Sequence, residues 1–136
     1  MEVQRIIRDE DLLGNVSRTG QVLERLLRQR LGHLDVVGDI RGRGLFWAIE
    51  FVQDKGSKTP FPPGLRFCHE VVEEALNLGL NILGNLGATG EVHVDHVIMS
   101  PPYVVTEPEL ERMVGILEEA IGTVTSRIYH ARDARL

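Results

Sequence analysis

The chain contains 136 residues, of which 43% are hydrophobic, and it carries a net charge of −5. This length fits one domain that buries roughly two thirds of its unfolded surface, and it is too short for two independent domains. Acidic and basic residues are interspersed, so the sequence lacks the basic face that nucleic-acid-binding proteins use.

The single cysteine, Cys68, excludes an internal disulfide and is typical of a reducing compartment. No run of about 18 apolar residues marks a membrane span, and the N-terminus lacks the charged-then-apolar order of a signal peptide. We therefore expect a soluble, cytoplasmic protein. Cys68 falls on an apolar helix face, which favours a buried thiol over a reactive one.

The N-terminal residues follow helical spacing, but no capping residue precedes them, so we expect residues 1–9 to be the end of a preceding helix. Residues 9–11, Asp-Glu-Asp, offer a cap for a long helix that ends near Gly32. Gly14 and Gly20 each weaken this helix by roughly 1 kcal/mol relative to alanine, so tertiary packing must hold it. Its predicted inward face consists of Leu12, Leu13, Val16, Leu23, Leu26, Leu27 and Leu31.

The densest run of glycine and large apolar residues spans positions 37–52. Three glycines there surround two arginines, Arg41 and Arg43, so the backbone can bend or let another segment approach closely. The apolar run that follows is rich in aromatic and β-branched residues, as expected of a buried strand. We predict a short strand at 36–40, a glycine-rich bend and a longer strand at 45–52.

Both lysines, Lys55 and Lys58, fall in the polar, turn-rich segment 53–60, which predicts a surface loop. A lysine amine becomes a nucleophile at neutral pH only where burial or neighbouring cations lower its pKa. An exposed turn supplies neither condition. We therefore expect that neither lysine forms a Schiff base.

A helix is predicted to begin at Pro62 and to be capped at its C-terminus by Gly79. A short strand at 80–83 and a flexible loop at 84–90 should follow. The loop lacks the Gly-Lys-Ser/Thr of a nucleotide-binding loop, so we do not expect it to bind phosphate. The predicted buried stripe of the helix consists of Leu65, Cys68, Val71, Val72, Ala75 and Leu76.

Another strand is predicted at 92–100. Because side chains alternate along a strand, His93 and Asp95 fall on one face and His96 on the other. These residues cannot easily converge on one ion, so no metal site is expected.

Pro101 and Pro102 end this strand, because neither proline can donate a hydrogen bond to a neighbouring strand. Their residue types suit a plain strand end and the rim of a pocket equally well. Tyr103, which follows, suits a pocket and the core equally well.

Residues 106–109, Thr-Glu-Pro-Glu, have the form of a capping box, and apolar residues then recur at steps of three and four up to Ile128. This pattern is the strongest helix signal in the sequence. The polar residues 130–136 are expected to fray.

Three motifs come in a characteristic order: Gly-Asp-Ile-Arg-Gly-Arg-Gly-Leu-Phe at 38–46, Ile-Glu-Phe at 49–51 and Ser-Pro-Pro-Tyr-Val-Val-Thr at 100–106. Their order and separation resemble the C-terminal domain of class III pyridoxal-phosphate-dependent aminotransferases, and the resemblance extends from about residue 3 to 128. It implies an α+β fold for residues 10–129, with a small, mainly antiparallel sheet and packed helices, like the small domain of fold-type I transferases.

The resemblance also implies an activity, the transfer of an amino group between an amine or amino acid and a keto acid, in a homodimer. In the family, the Schiff-base lysine, the acidic partner of the pyridine nitrogen and most of the phosphate cup belong to a large domain that precedes a segment like this one. We therefore expect a truncated or split aminotransferase that is inactive alone and binds pyridoxal phosphate weakly or not at all. No catalytic or cofactor-binding residue is assigned to this chain.

The small domain of such an enzyme helps to close over the substrate and to hold its carboxylate, often through an arginine on the strand before Pro-Pro. That strand has no arginine here, which leaves Arg41 and Arg43 as anion-binding candidates. Pairing of these two arginines with acids of this or a neighbouring subunit is an equal alternative. The candidate substrate-pocket residues are Arg41, Arg43, Pro101, Pro102 and Tyr103.

Two other classes of function remain open. The chain could be a non-catalytic interaction or dimerisation module derived from an aminotransferase, with an exposed apolar surface that includes Val3, Ile6 and Ile7. It could also be an enzyme with an unrelated active site, but no nucleophile, base and orienting acid occur at suggestive spacing.

Overall fold

The computed structural model describes the backbone of residues 2–89 and 92–133 and the side chains of 2–85 and 94–130. These residues form four helices, α1 (Glu2–Asp9), α2 (Leu12–Leu31), α3 (Phe67–Asn77) and α4 (Glu107–Asp133). They also form four strands, β1 (Val37–Arg43), β2 (Phe46–Phe51), β3 (Leu83–Thr89) and β4 (Val92–Met99). Among the described helices, none combines the length and apolar character needed to cross a membrane.

The four strands form one sheet in the order β1-β2-β4-β3, and every neighbouring pair is antiparallel. Ile40 of β1, Ile49 of β2 and Val97 of β4 lie in register across the sheet. The predicted α+β class with a small antiparallel sheet is confirmed.

The helices cover one face of this sheet, as the alternation of buried side chains shows. Trp47, Ile49 and Phe51 of β2 and Val97 and Met99 of β4 are buried, and the residues between them are more exposed. The helix residues in the same core are Leu23, Leu27 and Leu31 of α2, Phe67, Cys68, Val71 and Ala75 of α3, and Leu110, Val114, Leu117, Ile121 and Val124 of α4. We call the opposite, uncovered side the open face of the sheet.

Helix α2 approaches the β1–β2 turn so closely that only a glycine fits at the contact. A Cβ atom on Gly20 would lie 2.8 Å from the backbone of Gly44. Gly44 is the first of two loop residues between the strands and has φ +58°, the left-handed conformation that glycine adopts readily. Gly20 lowers the helix propensity of α2, but it allows the backbone contact that holds α2 against the turn.

The largest error of the sequence-based prediction concerns β3. We predicted a strand at 80–83 and a flexible loop at 84–90, but the strand runs from Leu83 to Thr89. A Cβ atom on Gly84 would lie 2.5 Å from the Val72 side chain of α3, so this glycine allows a helix to pack against the strand. Residue 90 of the predicted loop lies outside the described residues.

Two predictions about helix starts were wrong. Residues 9–11 do not cap α2 through a side chain, because Asp11 has φ 49° and makes no capping hydrogen bond. Residues 63–65 form a separate 3-10 turn, and α3 begins only at Phe67, after Arg66 in a left-handed conformation. Both helices thus begin after a sharp change of backbone direction.

Three leucines that we predicted to face the core are exposed, namely Leu13, Leu65 and Leu76. Leu13 lies on the side of α2 that faces the β1–β2 turn, where the helix borders a cleft rather than the core. Gly79, by contrast, ends α3 with φ +92°, as predicted.

The capping box of α4 is confirmed. The main-chain N–H and the hydroxyl of Thr106 donate to Glu109 Oε2 at 2.8 and 2.7 Å, and these bonds lower the pKa of Glu109. The helix continues through Asp133, beyond the end that the apolar pattern predicts. Residues 134–136 of the predicted frayed tail lie outside the described residues.

The Gly20 contact yields a test in which helix propensity and packing act in opposite directions. Gly20→Ala gains helix propensity, but its new methyl group collides with the Gly44 backbone, so we expect a net loss of about 1–3 kcal/mol in unfolding free energy. Gly122→Ala is the matched control, because nothing lies within 4 Å of its Cβ position on α4, and it should gain up to about 1 kcal/mol. Urea denaturation measures both values, and a stabilised Gly20→Ala variant would contradict the contact.

Candidate functional site

A cavity lies beside the β1–β2 turn, and we call it the turn cleft. Its volume is about 620 Å³. One wall is the exposed side of α2, the other is the turn with Arg43 and Phe46, and Ser100 and Tyr103 close one end. The cleft lies where Gly20 of α2 contacts the backbone of Gly44 in the turn, and both glycines belong to its lining.

Asn15 places the Tyr103 segment at the end of the cleft. Its side-chain amide donates to the carbonyl oxygens of Tyr103 at 2.7 Å and Val105 at 3.2 Å. The chain that leaves β4 after the two prolines is therefore tied to α2. Sequence inspection missed this role, because a single asparagine in the first turns of a helix gives no signal of a partner 88 positions away.

The turn cleft is lined by one basic residue, Arg43, and one acidic residue, Glu24. Glu24 accepts a hydrogen bond from Arg28 Nε at 3.0 Å, and Arg28 also lies over the Trp47 ring at 5.6 Å from its centroid. Arg43 is exposed, and within the described part of the chain the ion pairs of β1 are made by Arg41 rather than by Arg43. The lining of the cleft thus contains one acidic and one basic residue.

The apolar part of the cleft is unusually accessible. Phe46 is 59% exposed, Leu13 is 65% exposed and Tyr103 is 49% exposed. Beneath them Trp47 is almost fully buried, and its indole N–H donates to the Gly44 carbonyl oxygen at 2.8 Å. This hydrogen bond fixes the floor of the cleft against the turn.

The two candidate prolines line an adjoining groove of about 440 Å³. Pro101 is buried, Pro102 is exposed, and the groove shares Phe46 and Ser100 with the turn cleft. Arg43, Tyr103 and the prolines are thus brought to two neighbouring cavities.

Arg41 does not join the cleft, because acids on the open face hold it. Its guanidinium Nη1 lies 2.6 Å from Glu50 Oε2 and 2.9 Å from Asp39 Oδ2. These partners raise the pKa of Arg41, and Arg41 in turn lowers the pKa of Asp39. The alternative that the sequence left open, pairing with acids of the same chain, is what the structure contains for Arg41.

The two lysines do not fit a Schiff-base site. Lys55 Nζ donates to the carbonyl oxygens of Gly32 at 2.7 Å and Leu34 at 3.3 Å, where it ties the surface loop to the end of α2. Lys58 is exposed, and its Nζ donates to the Gly38 carbonyl oxygen at 3.3 Å. Neither amine faces the turn cleft or its neighbouring groove.

A buried acid and thiol lie apart from the cleft, between β4 and the start of α3. Asp95 is 4% exposed, and its Oδ2 has no hydrogen-bond partner among the described residues. Burial raises the pKa of Asp95, while the Cys68 thiol and the first N–H groups of α3 act in the opposite direction. Burial, followed by the charge of Asp95, raises the pKa of Cys68 to about 12.

We predicted that Asp95 and His96 lie on opposite faces of the strand, and the structure confirms this for both residues. Asp95 points toward α3, whereas His96 lies in the next position on the other face, with Nδ1 3.0 Å from the Val94 carbonyl oxygen. The side chain of His93 lies outside the described residues. Among the side chains that the structure describes, no three His, Cys, Asp or Glu residues form a metal-binding group.

Comparison with known proteins identifies the family. The model of the aminotransferase class-III family matches residues 1–121. An aminotransferase of Gibberella zeae is 40% identical over 122 residues, and the match covers 89% of this chain and 24% of that protein. An uncharacterised aminotransferase of Schizosaccharomyces pombe is 31% identical over 94% of this chain and 28% of its own length.

Solved structures show the same partial likeness. A transaminase from the marine bacterium Virgibacillus superposes with a TM-score of 0.84 at 27% identity, over 91% of this chain and 27% of that one. A PMP-bound aminotransferase from Vibrio fluvialis superposes with a TM-score of 0.80 at 31% identity, over 89% of this chain and 25% of that one. The chain belongs to the class III aminotransferase family, and it spans about a quarter of the length of these relatives.

The buried Asp95 should make stability depend on pH in a direction opposite to that of most acids. Because folding raises its pKa, its contribution to stability is present at low pH and is lost as pH rises through the folded-state pKa. Asp95→Asn should therefore be more stable than the unmodified chain at pH 7.5, and this advantage should shrink as pH falls toward 4. Urea midpoints at several pH values measure the difference.

Asp39→Asn is the control for this experiment, because Arg41 lowers the pKa of Asp39. Asp39→Asn should be less stable than the unmodified chain at pH 7.5, and this loss of stability should disappear as pH falls. A stability difference for Asp95→Asn that is the same at every pH would contradict the assignment.

Cys68 should be unreactive in the folded chain, because its thiol is buried and its pKa is raised. We expect an aromatic disulfide reagent at pH 8 to label the native chain roughly a hundredfold or more slowly than the urea-unfolded chain. Absorbance of the released thiol follows both rates. Equal rates would show that the thiol is accessible.

Proposed function

We propose that this chain forms the substrate side of a class III transaminase that uses pyridoxal phosphate to transfer an amino group between an amine or amino acid and a keto acid. The single observation that carries the proposal is the family match over residues 1–121. Support also comes from a similar solved structure described as PMP-bound. Pyridoxal phosphate supplies the electron sink for this chemistry when bound.

The position of the exposed cleft residues supports a role on the substrate side. Arg43, Tyr103 and Pro102 line two adjoining cavities. Such groups can bind and orient a small polar molecule. The chain therefore contributes binding and orientation.

We further propose that the isolated chain is inactive. Lys55 and Lys58 are held on surface carbonyl oxygens, so the Schiff-base lysine would come from polypeptide outside these 136 residues. The complete enzyme would be a homodimer, as the family resemblance implies. Its location would be the cytoplasm, which agrees with the use of a single, unpaired cysteine.

A second candidate is a non-catalytic interaction module. The open face carries exposed apolar side chains, including Phe46 and Leu83, which is 63% exposed, and α1 exposes Val3 and Ile6. Sedimentation separates this candidate from the first. A monomer at high micromolar concentration would weigh against a self-association module, whereas a stable dimer of the isolated chain would favour it.

Cofactor trapping tests the inactivity of the chain directly. The purified chain is mixed with pyridoxal phosphate, treated with borohydride and digested for mass spectrometry. We expect no aldimine absorbance band and labelling of Lys55 and Lys58 no greater than that of the urea-unfolded chain. A band that is lost in Lys55→Ala or Lys58→Ala would contradict the proposal.

A chimaera tests the substrate-side role. Residues of this chain replace the matching quarter of the Virgibacillus transaminase, with the host's own quarter rejoined at the same junctions as the control. We expect the chimaera to bind pyridoxal phosphate through the host lysine and to transfer amino groups. A folded chimaera that shows the cofactor band but has no turnover would contradict this role.

A further inference from the structure

We propose that Lys58 and Arg28 keep the outer edge of β1 from pairing with other strands, and that the strand they exclude is β1 of a second copy of this chain. The outer edge is the side of β1 that faces away from β2, and it consists of the outward main-chain groups of residues 38–42. We call it the β1 edge, and we call Lys58 and Arg28 the edge cover. This inference goes beyond the proposed function and does not depend on it.

The first argument is the position of β1 in the sheet. In the order β1-β2-β4-β3, β1 has β2 as its one strand neighbour within the described part of the chain. A two-residue loop joins Arg43 to Phe46, so these two residues exchange main-chain hydrogen bonds, and the bonding alternates from there along the strand. This alternation turns the N–H and C=O groups of Ile40 and Gly42 away from β2. Outward groups of this kind pair readily with strands of other chains unless they are covered.

The second argument is that side chains already bind the outward groups. Lys58 Nζ donates to the Gly38 carbonyl oxygen at 3.3 Å, and Arg28 Nη1 donates to the Ile40 carbonyl oxygen at 3.4 Å. The Ile40 N–H donates to Asp39 Oδ1 at 2.9 Å. A strand that paired with the β1 edge would have to displace these hydrogen bonds. Cationic side chains at the edge of a sheet also disfavour pairing with another chain.

The third argument is the irregular backbone of β1. Its register with β2 shifts between Val37 and Asp39, so Gly38 is the extra residue of a β-bulge. A Cβ atom on Gly38 would lie 2.6 Å from Val52 Cγ1, so close packing requires a glycine at the bulge. A bulge increases the local twist of a strand and interrupts its hydrogen-bonding pattern. Sheet edges with a bulge are therefore poorer templates for another strand.

The fourth argument assigns a role to the polar loop 53–60, which the proposed function leaves unused. The loop is closed by a β-bridge between Asp54 and Thr59, whose carbonyl oxygen also accepts the Gln53 N–H at 2.8 Å. Lys55 Nζ ties the loop to carbonyl oxygens at the end of α2. Lys58 has φ +55° within this frame, and its amine reaches the β1 edge.

Arg28 is positioned by other contacts. Its Nε donates to Glu24 Oε1 at 3.0 Å, and its guanidinium lies 5.6 Å from the centroid of the Trp47 ring. The Nη1 donor of the same group reaches the Ile40 carbonyl oxygen. Both cations of the edge cover thus come from elements other than β1, so they can be replaced while the strand keeps its sequence.

The excluded strand is β1 of a second copy, because the β1 edge is complementary to itself. Two identical edges can pair antiparallel about a two-fold axis, and each then supplies the outward groups of Ile40 and Gly42 to the other. This pairing would also bring the edge covers of both copies to one seam, where like charges repel.

The test compares the unmodified 136-residue chain with the double variant Arg28→Ala/Lys58→Ala. Sedimentation equilibrium should show that the double variant self-associates about tenfold or more tightly than the unmodified chain, because its β1 edge is no longer covered. Amide hydrogen exchange locates the surface. The N–H groups of Ile40 and Gly42 should become more protected as the concentration of the double variant rises, and they should not do so in the unmodified chain.

Three further variants separate the edge cover from charge and from misfolding. Arg25→Ala/Arg112→Ala is the matched control, since it removes the same charge from exposed positions on α2 and α4, and it should behave as the unmodified chain does. Arg28→Lys/Lys58→Arg keeps a cationic donor at both positions and should also behave as the unmodified chain does. Lys58→Ala alone changes one exposed loop residue, and it should show a smaller increase in self-association, with the same protection at Ile40 and Gly42.

Equal self-association of the two alanine double variants would show that net charge, rather than the edge cover, keeps the copies apart, and it would overturn the proposal. Folded Arg28→Ala/Lys58→Ala and Lys58→Ala variants whose Ile40 and Gly42 amides exchange at the same rate at every concentration would overturn it as well. The same holds if these amides become protected with concentration in the unmodified chain. Failure of the proposed function is measured separately, by cofactor trapping and chimaera turnover.

Discussion

The backbone contact between Gly20 of α2 and Gly44 of the β1–β2 turn is the constraint on which the rest of this structure depends. It sets how far the helix lies from the turn, and the separation leaves a cleft between the side chains beyond the contact. The same turn positions Trp47, whose ring contributes to the core and whose N–H returns to the Gly44 carbonyl oxygen. One helix–turn contact thus links the hydrophobic core to the turn cleft, which Arg43, Phe46 and Tyr103 line.

Many charged side chains of the described residues have an ion-pair or hydrogen-bond partner within the chain. Two arginines join neighbouring helices, Arg30 with Glu118 at 2.7 Å between α2 and α4 and Arg127 with Glu74 at 2.9 Å between α4 and α3. Such exposed pairs contribute little energy each. The lysines are likewise occupied by carbonyl oxygens. The chain belongs to the class III aminotransferase family, whose members it matches over about a quarter of their length.

Local sequence patterns predicted the helices and strands that have a strong apolar pattern. They failed for segments whose structure depends on packing against residues far away in the sequence. Helix α4 could be placed from its apolar spacing and its capping box, and strand β2 could be placed from its apolar run. The glycines of β3 predicted a loop, because their role in letting α3 pack on the strand requires knowledge of the helix position. Motifs named Arg43, Tyr103 and the two prolines as candidate site residues, and the structure places them in the lining of two cavities, while their function stays a prediction. The pairing of Arg41 could not be predicted because it depends on strand register, and the contribution of α2 depends on the glycine contact.

The most direct test of this account is a nuclear Overhauser measurement on the isotopically labelled chain, between the α protons of Gly20 and those of Gly44. The account predicts strong cross-peaks, because the two backbones are in contact. A well-dispersed spectrum without these cross-peaks would contradict it, since the helix would then lie away from the turn and the cleft beside Arg43 would have no fixed wall.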